Sequence, residues 1–498
     1  MLARLVRPRC WLTMLAMGLL LLGAAAEAAQ AAAPSKAPRA SVLQSPSQEG
    51  RWSLFRTMSP GGREPKAAPT RPGPAGPTGK AGRARDAATF DCDQATGVPA
   101  GECEALVALY DSTSGAGWKD SSGWVVSATV SNWYGVSASG GHVTALALGG
   151  TNLTGSIPSQ LGGLAELQNL DLDDNQITGS IPPGLGNLTQ PQLLDLGYNQ
   201  LSGAVPAQLG SLSHLQQLML VGNQITGTIP PQLGGLAGLE DLNLTGNRLT
   251  GAIPPQLGGL TSLQDLRLSN NGLTGAIPSQ LGGLTSLQDL YLSNNQLAGP
   301  LPPQLGGLTH LQYLDLSNNQ ITGTIPPELG GLAGLTTLNL AHNLLSGAIP
   351  PQLDGLANLQ SLLLYNNQLT GAIPPQLGGQ RNLQDLELSY NQITGTIPTG
   401  LGSLAGLSIL ALDNNRLSGA IPAQLGGLRS LQELYLESNQ LSGPMPLSLE
   451  DLSQLFVFYF DSATCEPLDG TFERWLDGIA TKSQPGYCEG LWLPLTVR

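Results

Sequence analysis

The strongest pattern in the chain is an alternation of leucines and polar residues that recurs every 24 residues between about residues 142 and 446. In one representative unit, Leu266 and Leu268 are two residues apart, so their side chains share one face of a short strand. Asp265 and Arg267 alternate with these leucines and point to the opposite, solvent-facing side. One polar position follows the strand in each unit, and it is occupied by Thr151, Asn175, Asn199, Asn223, Asn247, Asn271, Asn295, Asn319, Asn343, Asn367, Asn391, Asn415 and Asn439.

The rest of each unit predicts a turn and a return segment. The Asn anchor can satisfy neighbouring backbone groups with its amide, and copies in successive units would form a buried ladder. Gly275 permits a tight bend, and Pro278 stiffens the return without removing a central sheet hydrogen bond. A fixed period with Leu-x-Leu and Asn is the signature of leucine-rich repeats, in which a single unit cannot bury its apolar face alone. The pattern therefore predicts an α/β solenoid, a right-handed superhelix with a parallel concave β-sheet of about 13 repeats of 24 residues, capped at both ends.

The segments outside the repeats are of four kinds. Residues 1–28 are predicted to be a cleaved secretory signal peptide, because a basic start precedes a short apolar stretch and small residues; an uncleaved membrane anchor is the alternative. Residues 29–88 are rich in Ala, Pro, Gly and Ser and are expected to be a disordered linker.

Residues 89–141 and 447–498 are expected to cap the solenoid at residues 142–446. Helices are predicted at 102–110 and 471–480, and three tryptophans are expected to cover the open N-terminal end: Trp118, Trp124 and Trp133.

Four cysteines remain after the signal peptide, in two pairs that flank the repeats. The expected disulfides are Cys92–Cys103 and Cys465–Cys488, although four cysteines allow three connectivities. A metal site at these pairs is disfavoured because neither has C-x-x-C spacing or a neighbouring histidine. The sequence thus indicates an oxidising, extracellular location, secreted or at the cell surface.

Charge is divided unevenly along the chain. The 498 residues contain 22 Lys and Arg and 35 Asp and Glu. Because residues 1–85 hold 13 of the basic residues and three of the acidic ones, residues 86–498 hold 9 basic and 32 acidic residues. Nucleic-acid binding by the ordered part is therefore disfavoured, since phosphate contacts require clustered Lys and Arg.

The segment Leu-Thr-Gly-Ala-Ile-Pro-Ser-Gln-Leu-Gly-Gly-Leu at 273–284 resembles the plant-type extracellular leucine-rich repeat of polygalacturonase inhibitors and plant receptor-kinase ectodomains. The segment from Ala105 to Tyr110, followed by Trp118, Trp124 and Asn132-Trp133-Tyr134-Gly135-Val136, resembles the N-terminal cap of that class, especially in secreted bacterial proteins. The resemblance implies recognition of a ligand on the inner curved face. No transmembrane helix or kinase follows the C-terminal cap, so a receptor-kinase role is not expected, and no stable membrane span is expected after signal cleavage.

The polar strand positions are the candidate binding residues, because they vary while the leucines do not. They form an acidic inner face with interspersed tyrosines, and exposed Tyr and Arg among charges are typical of binding hot spots. A solvated face that only keeps the array soluble is the alternative. The candidate ligand contacts are Asp241, Asp265, Arg267, Asp289, Tyr291, Tyr313, Asp315, Tyr365, Glu387 and Tyr435.

The sequence predicts a binding protein for a protein, peptide or polysaccharide, with no catalytic residues and no cofactor. The paired carboxylates recur because every repeat has the same strand positions, and the four histidines are scattered, so we do not predict an enzyme. Inhibition of a secreted hydrolase is an alternative function, as is a structural or ice-binding array suggested by a ladder of hydroxyl residues. A loosely bound Ca²⁺ is an alternative role for three neighbouring acids, Asp171, Asp173 and Asp195.

Overall fold

The computed structural model describes residues 90–461, 463–467, 469–483 and 486–487. The predicted signal peptide and linker, residues 1–28 and 29–88, lie outside the described residues, as does Cys488. Among the described residues, no helix is long and apolar enough to cross a bilayer.

The inner face of the solenoid is one long sheet, as the leucine alternation predicts. Each repeat contributes a strand that pairs in parallel with the strand 24 residues later, so that Leu242, Leu266 and Leu290 are neighbours in one buried row. In the described part of the chain, sixteen strands form this sheet, three more than the repeats alone supply, because both caps add strands. The strands are Val136–Ser139, His142–Ala147, Asn169–Asp171, Leu193–Asp195, Gln217–Met219, Asp241–Asn243, Asp265–Arg267, Asp289–Tyr291, Tyr313–Asp315, Thr337–Asn339, Ser361–Leu363, Asp385–Glu387, Ile409–Ala411, Glu433–Tyr435, Val457–Tyr459 and Thr481–Lys482.

The Asn anchors form the predicted buried ladder. Asn295 Nδ2 donates to the carbonyl oxygens of Leu268 in the preceding repeat at 3.0 Å and of Leu292 in its own repeat at 3.1 Å. Its Oδ1 accepts a hydrogen bond from the Leu273 backbone N–H at 3.0 Å. Each Asn anchor therefore bonds to backbone groups in two successive turns, which lie beyond the ends of the strands.

The convex side consists of short 3-10 helices, and the predicted α/β solenoid has α-helices only in its caps. Pro278 precedes the helix Ser279–Gly283 as its N-cap, and Leu281 points into the core. These helices are Ser159–Gly163, Pro183–Asn187, Ala207–Ser211, Pro231–Gly235, Pro255–Gly259, Ser279–Gly283, Pro303–Gly307, Pro327–Gly331, Pro351–Gly355, Pro375–Gly379, Thr399–Ser403 and Ala423–Gly427 in the repeats, and Leu447–Asp451 at the start of the C-terminal cap.

Between the inner sheet and the convex helices, the segments after most anchors and two strands of the C-terminal cap form short second ladders, which the leucine pattern does not predict. Gly275, at φ 77°, turns the chain out of one such strand. The hydroxyl residues of this segment bond to backbone; Thr226 Oγ1, for example, donates to Gly203 O at 3.3 Å. The strands are Thr154–Ser156, Gln176–Thr178, Thr250–Gly251, Gly272–Gly275, Gln296–Pro300, Gln320–Thr322, Ser346–Ala348, Gln368–Thr370, Thr394–Gly395, Arg416–Gly419, Gln440–Leu441, Gly443–Pro444, Thr464–Glu466 and Gly486–Tyr487.

The N-terminal cap covers the first repeat with aromatic side chains. Its α-helix α1 spans Ala100–Ser112, slightly longer than predicted, and Cys103 on this helix forms a disulfide with Cys92. Trp118, Trp124 and Trp133 are all buried, and each donates its indole N–H to a backbone carbonyl. The apolar core thus begins in the cap and continues without a break into the leucine rows. Short 3-10 helices at Cys92–Gln94, Gly115–Gly117 and Val130–Asn132 complete this cap.

The cap and the sheet are also joined by a buried carboxylate, which no pattern in the sequence predicts. Glu102 Oε2 accepts the Val143 backbone N–H at 2.7 Å, and its Oε1 lies 2.7 Å from His142 Nδ1. The hydrogen bond to Glu102 raises the pKa of His142. His142 therefore has a structural role at the start of the second strand of the sheet.

At the other end, α2 spans Gly470–Gly478, close to the predicted 471–480, and buries Phe472 and Leu476. Asp469 caps its N-terminus by accepting the Thr471 backbone N–H at 2.8 Å. Cys465 lies on a strand that pairs with Gly486–Tyr487. The predicted Cys465–Cys488 disulfide involves a residue outside the described part and stays a prediction.

Candidate functional site on the inner sheet

Successive strands align the polar candidates into columns across the inner face. Asp241, Asp265 and Asp289 are direct neighbours in the sheet at the first position of their strands. At the third position, Arg267 lies beside Tyr291. Because neighbouring strands in a sheet are about 4.8 Å apart, residues far apart in sequence form one continuous surface here.

The three aspartates surround a single guanidinium. Arg267 Nη2 is 2.8 Å from Asp265 Oδ1 and 4.0 Å from Asp289 Oδ2, and Arg267 Nη1 is 3.5 Å from Asp241 Oδ2. All four side chains are at most a quarter exposed. One positive charge therefore faces three carboxylates in a partly desolvated setting, where charges interact more strongly than in water.

Asp241 is the least satisfied member of this cluster. The residue is only 8% exposed, and its Oδ1 is buried without a hydrogen-bond partner among the described residues. Burial raises the pKa of Asp241 to about 6, against the lowering effect of Arg267. The strand alternation predicts that Asp241 faces solvent; instead, the residue is buried and offers little surface of its own.

A tyrosine pair adjoins the aspartate column. The rings of Tyr291 and Tyr313 stack with centroids 6.4 Å apart and planes inclined by 21°. Burial, and after it the nearby charge of Asp289, raises the pKa of the Tyr291 phenol. Asp315 lies beside Tyr291 on the next strand. The structure thus brings together the candidates from Asp241 to Asp315 as one patch, which we call the acidic–aromatic patch (Asp241, Asp265, Arg267, Asp289, Tyr291, Tyr313 and Asp315).

The remaining candidates do not form one group. Tyr365 packs edge-on against His342, with ring centroids 5.1 Å apart. Tyr435, three repeats further on, stacks at 5.7 Å on Tyr459, a residue that the sequence analysis did not select. Glu387 and Tyr435 are each 6% exposed, so these two are less accessible than their strand position suggested. The signal that could have found Tyr459 is its register, 24 residues after Tyr435.

The acids nearest the N-terminal cap converge as the Ca²⁺ alternative requires. Carboxylate oxygens of Asp171, Asp173 and Asp195 lie within 4.8 Å of one another. Burial raises the pKa of Asp173 and of Asp195 to about 6, and it also raises that of Asp171. Clustered carboxylates are ligands that a hard divalent cation accepts, so these three residues could hold one.

Open grooves also lie on the convex side of the solenoid. One groove of about 770 Å³ runs between 3-10 helices and is lined mainly by glycine, proline and glutamine, among them Pro255, Gln280 and Gly283. It is wide open and carries no charged lining residue. None of the candidate residues lines this groove.

The geometry of the repeats agrees with the comparisons to known families. The chain matches the Leucine rich repeat family at residues 192–249, 237–297, 357–417 and 381–441, with further leucine-rich-repeat matches at 309–355 and 166–188. Together these ranges span more than half of the chain. The chain belongs to the leucine-rich repeat family. Its repeats are of the plant extracellular type, since receptor-kinase ectodomains are among its structural neighbours. A comparison with curated protein sequences gives no match.

Three solved structures illustrate the likeness. The complex of PEPR1 with AtPEP1 is 34% identical with a TM-score of 0.71, over 78% of this chain and 55% of that chain. The Arabidopsis receptor kinase HAESA ectodomain, bound to an extended IDA peptide hormone, is 31% identical with a TM-score of 0.56, over 78% and 73%. A Leptospira interrogans LRR protein is 30% identical with a TM-score of 0.55, over 67% and 83%. The chain thus spans about half the length of PEPR1.

Proposed function

We propose that this protein is a secreted or cell-surface binding protein that holds a peptide or protein partner on its inner sheet. The observation that carries the proposal is the acidic–aromatic patch, where side chains from four successive strands meet on a rigid scaffold. Aromatic side chains held in place lose little entropy on binding, and such residues are among those that dominate binding energies at interfaces.

The structural neighbours support a peptide or protein as the class of partner. PEPR1 and HAESA are described in complex with AtPEP1 and the IDA peptide hormone, respectively, and the receptor RGFR1 in complex with RGF2. The shared architecture offers the same kind of inner face in this chain. Because a ligand on a leucine-rich-repeat solenoid can span several repeats, contacts from Asp241 to Asp315 would act together.

The test is capture of partners from the secreted fraction of the source cells, quantified by mass spectrometry. The variant Asp265→Lys/Asp289→Lys reverses two charges on the inner sheet, and Glu328→Lys/Asp354→Lys makes the same net change on the convex helices. We expect the inner variant to lose at least nine-tenths of a partner that the wild-type and convex variant both retain, because reversed charges at an interface repel a matched partner. Equal retention by the two variants would contradict the proposal.

A further inference from the structure

The charge of the inner sheet is almost entirely of one sign. Across the strands from Asn169–Asp171 to Val457–Tyr459, Arg267 is the single Lys or Arg found at a first or third strand position in the described residues. The acids at the same positions are Asp171, Asp195, Asp241, Asp265, Asp289, Asp315, Asp385, Glu387 and Glu433. A surface of this sign favours a partner of opposite charge both in encounter and in the bound state.

Arg267 shows what this surface can bind. Carboxylates from three successive strands approach its guanidinium at 2.8, 3.5 and 4.0 Å, so the spacing of the column suits a cation that lies between strands. The guanidinium neutralises one of the three charges, which leaves the cluster with an excess of two negative charges. Negative charge therefore exceeds positive charge at this cluster.

Asp241 provides an independent sign that this cluster can accept a further donor. Its Oδ1 is buried without a hydrogen-bond partner among the described residues, in a residue that is more than nine-tenths buried. A buried carboxylate oxygen without a donor is costly, and native proteins normally satisfy such groups. A donor that entered the cluster, or that displaced Arg267 towards Asp241, would remove this cost.

The tyrosines supply the second element of a cation site. The stacked rings of Tyr291 and Tyr313 lie next to Asp289 and Asp315, and both tyrosines are partly exposed. Aromatic faces attract guanidinium and ammonium groups, most strongly where water is partly excluded. Carboxylates and ring faces thus adjoin over the strands from Asp265–Arg267 to Tyr313–Asp315.

We infer that the inner sheet binds a lysine- or arginine-rich peptide segment, with one cationic side chain held between the aspartate column and the Tyr291–Tyr313 pair. The inference rests on the proposed function and adds the chemistry of the partner. Arg267 acts in the unbound protein as an internal substitute for the partner's cation, and it competes with that cation for Asp265 and Asp289.

The first test is a fluorescence-anisotropy titration of the full chain with fluorescein-labelled octa-arginine at pH 7.5 and physiological salt. Asp265→Asn/Asp289→Asn removes two charges from the patch, and the matched control Glu328→Gln/Asp354→Asn removes two from the convex side. We expect Kd to rise about tenfold or more in the patch variant and to stay within about twofold in the control. Equal changes in the two variants would overturn the inference.

Substitution of Arg267 distinguishes binding at a defined site from a response to the net charge of the chain. Arg267→Gln removes the internal competitor, while Arg248→Gln removes the same charge from an exposed position after an anchor. We expect Arg267→Gln to tighten binding by about fivefold relative to Arg248→Gln, because the three carboxylates lose their own cation. Identical effects of the two substitutions would mean that only the net charge of the chain matters, which contradicts a defined site.

Two competitors test the chemistry and the source of the cation. Octa-citrulline has the shape of octa-arginine without its charge and should not compete. Spermine at equal total charge should compete far less than unlabelled octa-arginine; equal competition would assign the surface to small polyamines and overturn the inference.

If octa-arginine fails to bind while Asp265→Lys/Asp289→Lys still abolishes capture of a natural partner, the cationic chemistry is wrong and the proposed function stands.

Discussion

The convex helices and the inner sheet repeat with the same period, yet they tolerate change very differently. On the convex side, a Cβ added to Gly306 would lie 2.2 Å from the Glu328 carbonyl oxygen of the next repeat. On the inner sheet, the third strand position is Asn243, Arg267 and Tyr291 in three successive repeats, without any change in strand pairing. The convex side is constrained by close contacts between successive helices. The inner sheet requires only that the side chains of each strand alternate between the core and the solvent. The variable side is therefore the one that can specialise in binding.

The largest predicted change in stability comes from adding a single methyl group on the convex side, and it tests this contrast. Gly306→Ala should destabilise the protein by about 3 kcal/mol, because backbone of the next repeat must move to admit the Cβ. The adjacent Gly307 is a matched control, since a Cβ there meets nothing within 4 Å; Gly307→Ala should leave stability unchanged or raise it by about 0.5 kcal/mol. Guanidinium chloride unfolding followed by circular dichroism measures both. Equal stabilities of the two variants would remove the packing explanation.

The chain contains one natural exception to this packing rule. Asp354 occupies the position equivalent to Gly306 two repeats later, and the helices Pro351–Gly355 and Pro375–Gly379 pack less closely than other neighbouring helices. In the next repeat, Gln380 replaces the usual leucine, is 3% exposed and donates to Leu353 O at 2.8 Å. A side chain on the convex face is thus accommodated by wider spacing, and the polar residue that follows bonds to the backbone there.

The Asn ladder, which separates the two faces, should give the next largest effect. Asn295→Ala removes the donors to Leu268 O and Leu292 O and the acceptor of Leu273 N–H. Buried backbone groups then lose their partners, so we expect a loss of about 2–3 kcal/mol in the free energy of unfolding. Asn358→Ala removes one exposed bond, to Ala333 O at 2.9 Å, and should cost less than about 0.5 kcal/mol. A loss no greater for Asn295→Ala than for this control would show that the ladder does not hold the turns.

Features that follow from the 24-residue repeat can be predicted from the sequence. Contacts between particular side chains of different elements cannot. The leucine rows, the Asn ladder, the tryptophan cap and the Asp241–Asp289 column all follow from alternation and a constant register. The Glu102–His142 pair joins residues from different elements and has no local signature. The burial of Asp241, Glu387 and Tyr435 likewise depends on how neighbouring side chains lie across the sheet, which alternation alone does not specify.

The smallest predicted effect concerns the buried acid of the inner sheet. Since the folded-state pKa of Asp241 is raised to about 6 from 3.8, the folded protein takes up a proton at this residue at a higher pH than the unfolded chain does. Its contribution to stability is therefore complete below pH 3.8 and is lost as the pH rises through about 6. Between pH 7.5 and 5.5, protonation of Asp241 should increase the free energy of unfolding by about 1 kcal/mol.

Asp241→Asn holds this position neutral at every pH and should lower the gain measured between pH 7.5 and 5.5 by that amount. Asp173 and Asp195, whose pKa values are also raised to about 6, keep their own share of the gain in the variant. Asp354→Asn removes the same charge from the convex side and should retain the wild-type response to pH. If Asp241→Asn also retained it, the carboxyl of Asp241 would be charged and paired in the folded protein. The interpretation that the buried Asp241 Oδ1 lacks a donor would then be disproved.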